Sequence, residues 1–238
     1  MADHPGGERE QAAGHLAEAS ARLVRTVDRF HGDDWTAPSL LPQWTRAHVV
    51  AHLALNAEGM TNLLRGLVPT MYASDDQRAR DIADLGSAEP DEIRDRLLAG
   101  VTRLQESFDA VPDDAWETRV ERTPGGRTMR FASFPGMRWR EVEIHHADLD
   151  AGYTRADWTP DFAEHLLDAM AKRLRPRQAF EVRPHDSPRT WVFGSGEAEY
   201  PVPVVTGTAA DLAWWLTGRP AGDELSSSGD ELPVIEGW

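Results

Sequence analysis

The sequence predicts an α+β protein in which an N-terminal four-helix bundle, residues 1–155, is followed by a small α/β domain, residues 156–238. Three observations predict it. Four segments of the first half carry apolar residues at three- and four-residue intervals, the periodicity of helices that bury one face. After about residue 155 the pattern changes to short alternating runs flanked by helical segments, which is how strands read. A length of 238 residues accommodates one large domain or two smaller ones, and the change of pattern favours two.

In the first segment, residues 8–31, the spaced set is Leu16, Ala19, Leu23, Val27 and Phe30, with His31-Gly32 as its end. PSLLPQW reads as a turn feeding a second helix that begins near Thr45, whose side chain can cap free N–H groups, and runs through Val49, Leu53, Leu63 and Leu64. The stretch after it, containing Pro69 and Gly86, reads as irregular. Pro90 suits a first helical position, and Ile93, Leu97, Val101, Leu104 and Phe108 continue at helical spacing until Pro112. ERTPGGRTM looks like a turn or short hairpin, and Pro135-Gly136 precedes a fourth helix from Met137 to about Asp150, closed by Gly152. Four such helices suggest an antiparallel bundle.

In the second half, Phe162, Leu166, Met170 and Leu174 mark one helix. AFEVR, RTWVFG and YPVPVV follow as strands, with Gly194-Ser195-Gly196 as a turn. Thr208 then starts a helix, DLAWWLTGR, that Gly218 stops.

A net charge of -15 argues against nucleic acid as a partner, because phosphate backbones need a basic face. With no cysteine, the chain has neither a disulfide framework nor a thiolate nucleophile of its own. The N-terminus, MADHPGGERE, lacks the basic start and apolar run of a signal peptide, and no stretch approaches the ~18 apolar residues of a membrane span. The expected setting is cytoplasmic, away from membranes, with a small ligand or another protein as the partner.

Residues four apart on a helix share a face. His48 and His52 form an HxxxH pair on the second helix, and Glu141 and His145 form an ExxxH pair on the fourth. Helices packed side by side can point both pairs into one interior and hold a metal ion there. Two imidazoles and a carboxylate suit Zn²⁺, Fe²⁺, Mn²⁺ or Ni²⁺ and leave positions open for water or substrate. Apolar neighbours Val49, Val50, Leu53 and Leu55 place His52 inward, whereas His48 lies nearer the helix start and solvent. His146 stands about 100° from His145 and cannot face the same point, so it reads as a partner group or surface. Asp148 could orient an imidazole, although a helix-end carboxylate is ordinarily solvated. The expected ligand set is His52, Glu141 and His145.

SLLPQWTRAHVVAHLALNAEGM, PTMYAS and MRWREVEIHHADLDAG resemble the mycothiol-dependent maleylpyruvate isomerase family, and the resemblance spans nearly the whole chain. It implies a DinB-like bundle followed by a small α/β domain, a metal, usually zinc, on His52, Glu141 and His145, and mycothiol as cofactor. It also implies a functional arginine after a helix ending in a Gly-Arg pair, which is Arg219 in WWLTGRPAGDEL. Residues 176–200 do not align with the family pattern. The implied reaction converts maleylpyruvate into fumarylpyruvate. Reversible thiolate addition turns the double bond into a rotatable single bond, with the metal either holding the thiolate or polarising a carbonyl. Two other readings stay open at this point: a mycothiol S-transferase acting on another electrophile, and a non-catalytic metal-binding regulatory module.

Overall fold

The computed structural model describes residues 5–194, 202–229 and 231–235. Two compact units divide it, Met1–Gly152 and Tyr153–Trp238.

In the first unit the helices are α1 Pro5–Val27, α2 Arg46–Leu64, α3 Asp75–Gly86, α4 Pro90–Asp109 and α5 Phe134–Asp148. α1 packs on α5 and α4, and α2 packs on α4 and α5, so these four close into a bundle. α2 lies at its centre: Val49, Val50, Ala51, Leu53, Ala54 and Ala57 are all inaccessible, which requires small residues where helices approach closely. At the contact with α4, a Cβ added to Gly100 would lie 3.2 Å from that of Ala57. Leu16, Leu23, Ile93, Leu97, Phe134, Val142 and Ile144 fill the remaining core.

α5 begins at Phe134, three residues before the expected Met137, because Pro135 fits the first turn, where its missing N–H costs nothing. α1 stops at Val27, before the expected His31. The larger departure is α3, in the stretch read as irregular. Ser74 caps it by accepting from the Gln77 amide, and Asp75 and Asp76 sit favourably in its first turn, but only Ile82 and Leu85 are buried. Two core residues give no apolar stripe to detect.

The expected turn is a hairpin of β1 Arg119–Glu121 and β2 Thr128–Arg130. The Met71 and Tyr72 amides donate to the Glu121 and Arg122 carbonyls, fixing the segment that leads into α3. The loop before α2 is tied to the end of α5, where the Leu40 amide donates to the Asp148 carbonyl and Arg46 Nε to the Leu149 carbonyl.

The second unit holds α6 Pro160–Arg173, α7 Ala209–Leu216 and a four-stranded sheet in the order β4 Trp191–Phe193, β3 Phe180–Pro184, β5 Val204–Gly207, β6 Ser226–Ser227. β3 pairs antiparallel with β4 and parallel with β5, and β6 pairs antiparallel with β5. Phe180 and Phe193, register partners, stack at 5.0 Å, and Trp215 of α7 packs on Phe180 at 5.5 Å. Of the expected elements, Ser195 and Gly196 of the turn and Tyr200 and Pro201 of the third strand lie outside the described residues. Gly218, at φ 83, ends α7 in the left-handed conformation that glycine tolerates.

Candidate metal centre

The packing of α2 against α5 brings three side chains to one point. His52 Nε2 lies 2.9 Å from Glu141 Oε2, and His145 Nε2 lies 3.5 Å from the same oxygen. The two imidazole rings stand edge to face at 4.6 Å. One donor atom from each of the three residues falls within 4.8 Å of the others. In tetrahedral zinc coordination, ligand atoms stand about 3.3 Å apart. The residue types and spacing therefore fit a divalent ion.

The neighbouring groups prepare these atoms. Asp148 is fully buried, and its Oδ2 sits 2.8 Å from His145 Nδ1, one turn along the same helix. That bond places a proton on Nδ1 and turns Nε2 toward Glu141, the arrangement that orients metal-binding histidines. The solvated reading of Asp148 does not hold, since the carboxylate has no contact with water. On the other imidazole, Arg78 of α3 brings Nη2 within 3.1 Å of His52 Nδ1. Trp44 covers His52 at a ring separation of 5.8 Å. Arg138, 1% exposed, donates to the Leu53 carbonyl and Asn56 Oδ1; burial draws its pKa down to about 10, so it remains a cation at neutral pH.

Burial also holds His52 neutral, its pKa lowered from 6.5 to about 4 although the hydrogen bond to Glu141 pulls the other way. In His145, burial acts in the same sense, but hydrogen bonds to Asp148 and Glu141 outweigh it and raise the pKa. Burial would raise Glu141; its bonds to His145 and His52 prevail and keep it well below the usual carboxylate range.

These shifts set a pH optimum for the stability of the metal-free protein. His145 contributes stability that is full below its unfolded value near 6.5 and is lost as pH rises through its raised folded value. His52 acts in a lower window: between pH 6.5 and about 4 the unfolded chain takes up a proton that the folded site refuses, so stability falls with pH. Glu141 adds a further loss below its unfolded value of 4.5, as pH falls toward its depressed folded one. Urea unfolding of metal-free wild type and of His52→Gln should diverge by on the order of 3 kcal/mol between pH 6.5 and 4. Parallel profiles would contradict the burial of a neutral His52.

The two other candidate histidines, His48 and His146, have structural tasks. His48 Nδ1 lies 2.7 Å from Thr45 Oγ1 at the start of α2, and its ring packs against Gly86, where an added Cβ would meet it at 2.9 Å. His146 is buried, with Nε2 2.9 Å from Thr26 Oγ1 of α1, which rules out the surface reading. Glu143 pairs with Arg22 of α1 at 2.6 Å. Arg219, in the second unit, lies with Cζ 5.2 Å above the Trp214 ring and Nη1 3.4 Å from the Thr217 carbonyl. Arg78, Arg138 and Trp44 were not singled out by sequence. The Ser74-Asp75-Asp76-Gln77 cap was the one available signal for the helix that carries Arg78.

The model of the mycothiol maleylpyruvate isomerase N-terminal domain matches residues 16–150. The chain belongs to the mycothiol maleylpyruvate isomerase family. A second model of that family, the MDMPI C-terminal domain, matches residues 157–233 and so spans residues 176–200. Crystal structures of the mycothiol-dependent maleylpyruvate isomerase and of a histidine-to-alanine mutant of it are similar to this family member, each with a TM-score of 0.84 and 27% identity over 97% of both chains. No curated protein matches. No helix among the described residues is long and apolar enough to cross a membrane.

Proposed function

We propose that this chain is a cytoplasmic mycothiol-dependent maleylpyruvate isomerase, that His52, Glu141 and His145 hold a divalent metal ion, zinc, and that Arg219 binds a substrate carboxylate. The observation that carries the reading is the convergence of three donor atoms within 4.8 Å in a chain similar over 97% of its length to that isomerase. When bound, the metal and mycothiol supply a thiolate whose reversible addition makes the cis double bond a rotatable single bond.

The chain's own residues prepare that chemistry. Asp148 fixes the orientation of His145 through a 2.8 Å bond, turning its Nε2 toward the cluster, and burial keeps His52 unprotonated at neutral pH. Glu141, held ionised by both imidazoles, offers a negative oxygen. Because the chain has no cysteine, the sulfur must come from a small thiol. An arginine fork suits a carboxylate better than a point charge does, which supports the role given to Arg219.

The test is an absorbance assay of maleylpyruvate with the purified protein, with and without mycothiol. Conversion to fumarylpyruvate only when both are present is expected, with the thiol regenerated. A stable thioether product would identify a transferase instead, and no change in absorbance would overturn the proposal.

A further inference from the structure

Two cations beside the ligand cluster lack the partners that buried guanidinium groups ordinarily require. Among the described residues, neither Arg78 nor Arg138 forms an ion pair, and Arg78 Nε and Arg138 Nη2 are buried without a hydrogen-bond acceptor. Leaving such donors unmade is costly, so each calls for an explanation. Arg138 still has a carbonyl and an amide oxygen at 2.8 Å. Arg78 has no carbonyl or amide oxygen of this kind: its partners are an imidazole nitrogen 3.1 Å away and the Tyr72 hydroxyl.

The vacant group on Arg78 is one half of a fork. Nε and Nη2 share an edge of the guanidinium and together grip the two oxygens of a carboxylate. Elsewhere in this protein the same edge is filled in that way: Arg96 holds Glu58 through Nε at 3.0 Å and Nη2 at 2.6 Å. Arg122 offers a second contrast. Arg78 and Arg122 both lie over the Tyr72 ring, at 5.5 and 5.2 Å, yet Arg122 has Asp75 as its counter-ion while Arg78 has none among the described residues. Arg78 is half-buried, its Nη2 facing His52 of the ligand cluster.

We propose that Arg78 is a substrate-binding residue whose Nε and Nη2 edge takes a carboxylate of the acidic substrate next to the metal ligands, with the buried charge of Arg138 reinforcing the attraction. This rests on the isomerase reading, in which the substrate carries two carboxylates and Arg219 is assigned only one. The fixed charges also favour an anion: two arginines and a divalent ion outweigh Glu141 and Asp148.

Zinc-loaded protein titrated calorimetrically with maleate, in the absence of any thiol, tests this without relying on turnover. Wild type should bind maleate saturably, and Arg78→Gln should bind it about ten- to a hundredfold more weakly at equal zinc content. Arg78→Lys should recover part of the affinity, since it restores the charge without the fork. Arg80→Gln, which removes an exposed arginine from the same helix, should bind like wild type. In turnover, Arg78→Gln should raise KM for maleylpyruvate with kcat little changed. Maleate affinity unchanged in Arg78→Gln, or zinc lost from that variant, would overturn the assignment. The two readings fail separately: wild type that isomerises while Arg78→Gln keeps its maleate affinity sinks only this one, whereas wild type inert toward maleylpyruvate sinks the isomerase reading.

Discussion

His52→Ala should purify without metal and without isomerase activity, whereas wild type carries about one equivalent of the ion. His52 is 2% exposed and supplies one of three converging donors, so its loss leaves Glu141 and His145 as a two-ligand site. Metal-assisted chemistry is commonly worth several kcal/mol of barrier, and its removal should lower turnover by on the order of 10³-fold. The fold should survive. The core of α2 is carried by Val49, Val50, Leu53 and Met60, and the imidazole contributes hydrogen bonds of 2.9 Å to Glu141 and 3.1 Å to Arg78. Its loss is expected to cost about 1–3 kcal/mol. Elemental analysis, the maleylpyruvate assay and a thermal melt separate these effects, and a full equivalent of metal in the variant would remove His52 from the proposed ligand set.

Arg219→Ala should show the opposite division: metal retained, turnover lost. The role proposed for Arg219 is a charge-assisted, two-pronged contact with a substrate carboxylate, worth about 1.5–3 kcal/mol and hence about ten- to a hundredfold in kcat/KM. A purely structural arginine predicts a different result. Its place just beyond α7 and its position above the Trp214 ring would then account for it, and truncation would cost about 1 kcal/mol of stability with normal turnover. Steady-state kinetics together with metal content and a melting curve distinguish the two.

The legible parts of this molecule were those governed by local periodicity. The bundle helices announced themselves because each buries a stripe: Leu16, Leu23 and Val27 on α1, Ile93, Leu97 and Leu104 on α4. His52, Glu141 and His145 could be ranked because four-residue spacing fixes a shared helix face and apolar neighbours indicate which face turns inward. α3 escaped for the converse reason. It buries only Ile82 and Leu85 and is held by its cap and by packing on α2, neither of which produces a repeating pattern. Arg78 was hidden with it.

Asp148 shows where helix-level reasoning stops. By position it is a helix-end carboxylate, and only the chain packed over it, with Leu40 bonded to its carbonyl, makes it a buried partner for His145. His146 is a second case, since the Thr26 hydroxyl that receives it comes from a helix 120 positions away.

By itself, the sequence determined the helices that bury a stripe, the strands that alternate, the absence of an internal thiol, and the inward face that carries His52. These follow from spacing along one element, which the covalent chain fixes. Only the tertiary structure decided that His52, Glu141 and His145 meet at one point, that burial keeps His52 neutral while Asp148 raises His145, and that Arg78 faces the cluster without a carboxylate of its own among the described residues. Desolvation and charge pairing depend on which side chains distant in sequence exclude water from the same small volume, and that is settled when helices pack.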